Sequence, residues 1–278
     1  MFTVIIPTLN SEKTLQRALS SVIEQKFQSF EIIVADGLST DSTLQICRTS
    51  QLSCEKLRIS SERDCGVYDA INRAIDLSLG KWIYVLGSDD ALSSNTVFES
   101  VAAMLSTVEA DIVYGDVRMI GSNRWVSNGA RYAGPVDLSF LAFQNVCQQA
   151  IFYRQETLIQ SGGFESKYHV CADYVHLLKS INRVKIQWIN LVICDYATGG
   201  LSSSGTDAVL GVDFLRILGD AIMRRPFDPA LIPIRAKVKE CSIDAWNAKS
   251  PIKALVLFLA ASSFRMRNYL TKKIARAA

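Results

Sequence analysis

The chain has 278 residues, 49% of them hydrophobic, and a net charge of +3. That length can bury a large core and suits one α/β domain with an appendage, while so small a charge gives no electrostatic footprint for nucleic acid. The seven cysteines (47, 54, 65, 147, 171, 194 and 241) are odd in number and lack C-x-x-C spacing, which favours reduced thiols over a disulfide frame or a zinc site.

The chain opens on a short apolar strand, Phe2 to Ile6, followed by Pro7-Thr8-Leu9-Asn10. No basic n-region with an apolar h-region precedes the strand, so a cytoplasmic protein without a signal peptide is expected. A helical pattern follows with Leu15, Leu19, Val22 and Ile23 on one face, and Asn10 or Ser11 is placed to cap it. Phe30 to Ala35 is a second strand ending in Asp36-Gly37. Ser39-Thr40-Asp41 opens a second helix, Leu57 to Ser60 is a weak third strand, and Val67, Ala70, Ile71, Ala74 and Ile75 mark a third helix. This alternation predicts parallel βαβ units in a doubly wound sheet, whose right-handed crossovers place helices on both faces.

The next strand, from Trp82 to Leu86, is wholly apolar and leads through Gly87-Ser88 to Asp89-Asp90. A run with no polar face is expected in the buried middle of a parallel sheet. Two adjacent carboxylates beyond its end repel each other unless a cation intervenes. Mg²⁺ or Mn²⁺ is the expected partner, because such ions combine one or two carboxylates with substrate phosphate oxygens. A solvated Ser-Asp-Asp turn is the alternative. Asn10, Asp36 and Asp89-Asp90 all fall beyond strand carboxyl ends, where open α/β sheets bind ligands.

Several segments together resemble the family 2 glycosyltransferases. They are Val4-Ile5-Ile6-Pro7-Thr8-Leu9-Asn10, the run from Phe30 through Ala35-Asp36-Gly37 to Thr43, the run from Glu62 through Tyr68-Asp69-Ala70-Ile71-Asn72 to Ala74, and Ser88-Asp89-Asp90. In the second half Gln148-Gln149-Ala150, Gly162-Gly163-Phe164-Glu165 and Ala172-Asp173-Tyr174 continue the likeness, which covers residues 2 to 205. The segment around Tyr68 is similar to a bacterial branch that builds surface polysaccharides.

The resemblance implies a GT-A fold: a doubly wound, mostly parallel sheet with a Rossmann-like nucleotide-binding half. It implies a domain over 1–205, divided into a nucleotide-sugar-binding half (1–115) and an acceptor-binding half (116–205), before a helical region over 206–278. It implies an inverting, metal-dependent hexosyl- or N-acetylhexosaminyltransferase. Such an enzyme takes a nucleotide-sugar, with UDP the common nucleotide, to a hydroxyl of a glycan carried on a lipid. Residue by residue, Asp90 would hold Mg²⁺ or Mn²⁺ and Asp173 would act as base. Thr8, Asn10, Asp36, Asp64 and Asp89 would line the donor site, with Asp36 accepting from the nucleotide base. The chain departs from the family where Ala35-Asp36 replaces two carboxylates, where Ser88 begins the metal motif, and where Gln148 stands in place of a His. For Asp173 the competing reading is a helix N-cap. Two other functions remain as alternatives: a sugar-phosphate nucleotidyltransferase, for which Pro7-Thr8-Leu9-Asn10 is the wrong phosphate loop, and a non-catalytic glycan- or partner-binding relative.

Asp111 to Ser127 is expected to form a strand, a turn at Gly121-Ser122-Asn123 and a returning strand. Residues 132–145 are expected to form a mobile loop over the cleft, with Tyr132, Phe140 and Phe143 packed beneath it; stacking on sugar is the alternative for these aromatics. His169 and His176 are seven apart without matching acids, so a metal role is not expected for either, and His176 is expected to pack beside Tyr174 or cap a contact. Val209 to Met223 and Ile232 to Trp246 are helical patterns, followed by the apolar run Ile252 to Ala261 and then Arg265, Arg267, Lys272, Lys273 and Arg276. The run is shorter than the ~20 residues that cross a bilayer. An apolar helix with a basic end suits the anionic cytoplasmic face of a membrane; the alternative is packing on the domain or on a second copy of the chain.

Overall fold

A computed structural model describes residues 1–122, 126–200 and 207–275, with side chains described as far as residue 263. Among them the chain forms two compact units, one of residues 1–134, 146–173 and 184–207, and one of residues 135–145, 174–183 and 208–278.

The first unit is built on a nine-stranded mixed sheet. β1 (Phe2–Thr8), β2 (Phe30–Asp36), β3 (Leu57–Ser61) and β4 (Trp82–Val85) are parallel, in the order β3-β2-β1-β4. Beyond β4 the sheet continues through β8 (Ile151–Arg154), β6 (Ile112–Ile120), β9 (Ile186–Ala197) and β5 (Ala91–Leu92), with β7 (Arg131–Tyr132) paired to β6. β8 is antiparallel to both β4 and β6, whereas β9 is parallel to β6. This is the doubly wound arrangement with a mixed second half.

Between the parallel strands lie α1 (Leu15–Ile23), α2 (Thr43–Ser53) and α3 (Val67–Asp76); α4 (Val97–Leu105) follows β5. Each buries an apolar stripe, such as Leu15, Ala18, Leu19 and Val22 of α1. Val4, Ile5, Ile6, Ile32, Val34 and Ile83 are fully buried, as the apolar runs require. Phe2, Tyr84, Phe98 and Phe152 form an aromatic cluster, with Tyr84 stacked on Phe152 at 4.6 Å.

Register fixes what meets at the carboxyl ends of these strands. Thr8 pairs with Asp36, and Asp36 pairs with Ser61, so the last residues of β1, β2 and β3 form one row.

The helix start differs from the sequence reading. α1 begins at Leu15 after Thr14, and neither Asn10 nor Ser11 caps it through its side chain. Asn10 instead adopts a left-handed φ of 52°, which Asn tolerates better than most residues. There its Oδ1 accepts from the Thr40 N–H at 2.9 Å, tying the first loop to the second. The predicted turn after β6 reaches Asn123, which lies outside the described residues, and β7 returns antiparallel to β6.

The second unit is helical. It contains α5 (Leu138–Leu141), most of α7 (Ala172–Ser180), α8 (Ala208–Ile222), α9 (Arg235–Asn247) and α10 (Pro251–Ala275); α6 (Gln155–Gln160) belongs to the first unit. Residues 132–145 are therefore not a plain loop, since Asp137 caps α5 by accepting from the Phe140 N–H. Phe143 is exposed rather than packed beneath the segment. Among the described residues no helix is long and apolar enough to cross a membrane.

Candidate active site

Asp36 is the centre of the strand-end row. Its side chain is fully buried, and each oxygen accepts two hydrogen bonds. Oδ1 takes Thr8 Oγ1 at 3.2 Å and Ser39 Oγ at 2.5 Å; Oδ2 takes Ser61 Oγ at 2.7 Å and the Ser39 N–H at 3.1 Å. Two of the four donors come from the strand neighbours that the register supplies. A carboxylate has about four acceptor positions, so a base N–H would have to displace one of these donors. Asp64 stands beside this row, because a Cβ on Gly37 would come within 2.6 Å of its Oδ2. Its Oδ1 accepts from the Gly66 N–H at 3.1 Å. Asn10 is exposed on the neighbouring loop, where its N–H donates to Ser39 Oγ at 2.8 Å.

The second feature lies beyond β4. Leu86 still bonds to β1, its N–H donating to Ile5 O at 2.9 Å, and a turn closed by the Asp90 N–H to Gly87 O follows. Gly87 leaves room for the carboxylate, since a Cβ there would displace Asp90 Oδ2. Ser88 Oγ meets Ser11 Oγ at 2.9 Å, and Arg17 donates to the Asp89 carbonyl. Asp89 is half-buried, and a Cβ on Gly200 would lie 2.8 Å from its Oδ2. Asp90, by contrast, is 1% exposed. Its Oδ1 accepts from the Ala197 N–H at 2.7 Å, at the end of β9. Its Oδ2 is buried and has no hydrogen-bond partner among the described residues. Burial, and next the Asp89 charge, pushes the Asp90 carboxyl up to about 7, against the opposing pull of the Ala197 N–H, the Gln149 side chain and Arg17.

A buried carboxylate oxygen without a partner costs free energy unless something positive meets it. Among the described residues no group of three or more His, Cys, Asp or Glu forms a metal cage. Mg²⁺ and Mn²⁺ do not need one where phosphate oxygens complete the shell. The orphaned Oδ2, with Asp89 adjacent, fits that kind of site.

The third feature is Asp173, in the first turn of α7 and 7% exposed. Tyr68 of α3 donates its hydroxyl to Asp173 Oδ1 at 2.8 Å and lies 3.0 Å from Val170 O. Burial, then the Asp173 charge, holds the Tyr68 hydroxyl far above its ordinary range, so it stays a donor. Sequence reading missed this tyrosine, whose partner is 105 residues away. The Cys147 thiol links the two carboxylate sites: it is raised by burial, then by the charges of Asp173 and of Asp90. Gln148 Nε2, in the same short 3₁₀ turn as Gln149, is buried without a partner among the described residues. Thus the charges of both Asp90 and Asp173 reach the buried Cys147 thiol, while Thr8 and Asp36 occupy strand ends with Asp64 beside them.

Comparisons with known proteins give the family. Residues 3–171 match the sequence model of glycosyl transferase family 2. The chain belongs to glycosyl transferase family 2. Among relatives of this glycosyltransferase is a PGL/p-HBAD biosynthesis glycosyltransferase of Mycobacterium tuberculosis, 38% identical over 213 residues, which cover 74% of this chain and 81% of the relative. An uncharacterized glycosyltransferase of the same organism is 29% identical over 232 residues, covering 81% of this chain and 85% of the relative. Of solved structures, Staphylococcus aureus TarS 1–349 aligns with a TM-score of 0.62 at 19% identity, covering 95% of this chain and 91% of TarS. The mannosyltransferase PcManGT of Pyrobaculum calidifontis aligns with a TM-score of 0.59 at 18% identity, covering 99% of this chain and 80% of that one. These likenesses establish the GT-A-like fold of this family 2 glycosyltransferase.

Proposed function

We propose that this glycosyltransferase moves a hexosyl or N-acetylhexosaminyl group from a UDP-sugar to a hydroxyl of an acceptor glycan, with inversion at the anomeric carbon. The observation that carries the reading is the pair of buried carboxylates, Asp90 with its unmet Oδ2 and Asp173 anchored by Tyr68, whose charges both act on the Cys147 thiol. TarS has been solved with UDP and with UDP-GlcNAc, which supports a nucleotide-sugar donor; PcManGT was solved with GDP-Man and Mn²⁺.

In the proposed reaction the acceptor hydroxyl gives its proton to the Asp173 carboxylate while its oxygen attacks the anomeric carbon. The bond from that carbon to the diphosphate oxygen breaks, and the nucleoside diphosphate leaves with the electron pair. Asp90 Oδ2, with Asp89 adjacent, is the proposed seat of Mg²⁺ or Mn²⁺, whose chemistry when bound is to neutralise charge on the diphosphate. Tyr68 fixes the orientation of the Asp173 carboxylate, which favours a base over a simple N-cap. Thr8, Asn10 and Asp64 are proposed to line the nucleoside pocket and Asp89 to meet the donor ribose or sugar. Asp36 is proposed to hold the wall of that pocket through Thr8, Ser39 and Ser61, because its acceptor positions are already taken.

Residues 1–205 are proposed as the catalytic domain and 206–278 as a region that brings it to a lipid-borne acceptor at the cytoplasmic face of the inner membrane, in surface polysaccharide synthesis. The M. tuberculosis relative named for PGL/p-HBAD biosynthesis is consistent with a glycan-building role. The test is a panel of nucleotide-sugars incubated with Mn²⁺ and acceptor glycans, scored for nucleoside diphosphate. Acceptor-dependent release that stops with chelator is expected. Nucleotidyl exchange with pyrophosphate instead would establish the sugar-phosphate nucleotidyltransferase.

A further inference from the structure

The helical unit contains a second cluster of charged side chains that sugar transfer does not use. The end of α7 and the face of α8 enclose a crevice of about 50 Å³, lined by Lys179, Arg183, Arg216, Ile217, Asp220 and Arg224. About 10–15 Å³ of such space holds one water, so the crevice takes a larger group. Asp220 is already engaged, because Lys253 of α10 donates to it at 2.8 Å and to the Arg216 carbonyl at 3.2 Å. Arg216 lies 3.1 Å from Asp213. Arg183 and Arg224 make no side-chain hydrogen bond or ion pair among the described residues, and both are exposed. The cluster therefore holds an excess of positive charge, much of it as guanidinium groups. Guanidinium forks match the oxygens of a phosphate better than those of water.

The neighbouring surface of the same unit is apolar in an unusual sense. α10 turns its small side chains inward, burying Ala254, Ala260 and Ala261 along with Leu257. Its large ones face outward: Ile252 is 78% exposed, Leu255 58%, Phe258 52% and Leu259 49%. At helical spacing Ile252, Leu255 and Leu259 share one face. A helix folded only for its own core would point these side chains the other way. This face begins beside Lys253, whose ammonium reaches the edge of the crevice. The basic residues of the sequence at 265, 267, 272 and 273 follow on the same helix, and their side chains lie outside the described residues, as does all of Arg276.

We infer that the crevice between α7 and α8 is a phosphate-binding site for an anionic lipid head group, and that it works with the exposed face of α10 to seat the helical unit on a phospholipid surface. Charge complementarity selects this occupant over a second copy of the chain, whose own crevice would present the same positive charge. The apolar face enters the acyl boundary while Arg183, Arg216 and Arg224 meet the phosphate layer. The inference rests on the proposed attachment to a membrane and adds the site that recognises the head group.

The test uses the full chain in flotation with vesicles of phosphatidylcholine alone or with 30 mol% phosphatidylglycerol, and needs neither donor nor acceptor. Wild type should float with the anionic vesicles and lose that binding at high salt. Arg183→Gln with Arg224→Gln should raise the lipid concentration for half-binding roughly 25-fold, at about fivefold for each basic side chain lost, with an unchanged melting profile. Ile252→Ser with Leu255→Ser should weaken binding to the anionic vesicles as well. Inorganic phosphate at millimolar concentration should leave binding nearly intact. If the double Arg variant floats like wild type while the apolar variant does not, attachment stands and the crevice site is overturned. If wild type ignores anionic vesicles but binds free phosphate, the crevice is a solution anion site and the inference fails. If wild type ignores the vesicles and sediments as a dimer that the apolar variant dissociates, α10 is a protein interface, and both attachment and head-group site are withdrawn.

Discussion

Asp90→Asn should make the metal-free protein more stable at alkaline pH while ending metal-dependent nucleotide binding. Burial raises the Asp90 carboxyl from 3.8 to about 7, so ionising it in the folded protein costs roughly 4 kcal/mol relative to the unfolded chain. The sign follows from the raised value: the cost is absent below about pH 4, grows between pH 4 and 7, and is fully present above 7. The substituted amide removes the charge and keeps an oxygen for the Ala197 N–H. Its nitrogen, placed where Oδ2 now lies, costs about 1–3 kcal/mol when it meets no acceptor. With that penalty the balance is a gain of roughly 1–3 kcal/mol at pH 8 and a loss of roughly 0.5–2.5 kcal/mol at pH 4, where little of the ionisation cost remains. Urea denaturation at both pH values, with chelator present, measures it. Added Mn²⁺ with UDP should stabilise wild type by about 2.7 kcal/mol at a hundredfold excess over Kd and leave the variant unmoved. A metal-free Asp90→Asn variant less stable than wild type at pH 8 would refute the idea that Asp90 is held at a cost for a cation.

The same raised carboxyl predicts that metal-dependent nucleotide binding releases a proton below pH 7 and tightens about tenfold per unit as pH rises towards 7, then levels off; calorimetry in buffers of different ionisation enthalpy reads both. Tyr68→Phe removes the hydroxyl that anchors Asp173 and should lower kcat by roughly tenfold with donor affinity unchanged; a parallel rise in donor Kd would mean the tyrosine serves only packing. Asp36→Ala orphans four donors at the strand ends and should cost at least ~3 kcal/mol in stability along with weaker UDP binding. Unchanged stability in a denaturant titration would remove it from that wall.

The nucleotide-side half was legible in the sequence because its signals are local. Apolar runs of fixed period, bounded by Gly and Asp, gave β1 to β4 and α1 to α3 in order, and the fold class follows from that alternation. The placement of Asp36, Asp89 and Asp90 beyond strand ends followed from the same pattern. What those carboxylates touch did not. Thr8 and Ser61 reach Asp36 only because of strand register, and the Asp90 oxygens are told apart only by the backbone of β9 at Ala197. β9 has a mixed burial pattern with no clean alternation, so its period is hard to read. Asn10 misled as a cap because its side chain bonds across to Thr40 in the next βα loop, a contact that local spacing does not encode. The outward-facing large residues of α10 carry the composition of a core helix, and only the fold shows which way they point.

In the proposed reaction two carboxylates divide the work, Asp90 on the diphosphate and Asp173 on the acceptor proton. The measurement that tests it is acceptor-dependent nucleoside diphosphate release, taken beside calorimetric donor binding, in wild type, Asp90→Ala and Asp173→Asn. Asp90→Ala should lose both metal-dependent binding and release. Asp173→Asn should bind donor as wild type does and lose a factor of ~10² to 10⁴ in release. Wild-type release from Asp173→Asn, or chelator-resistant release from Asp90→Ala, would contradict it.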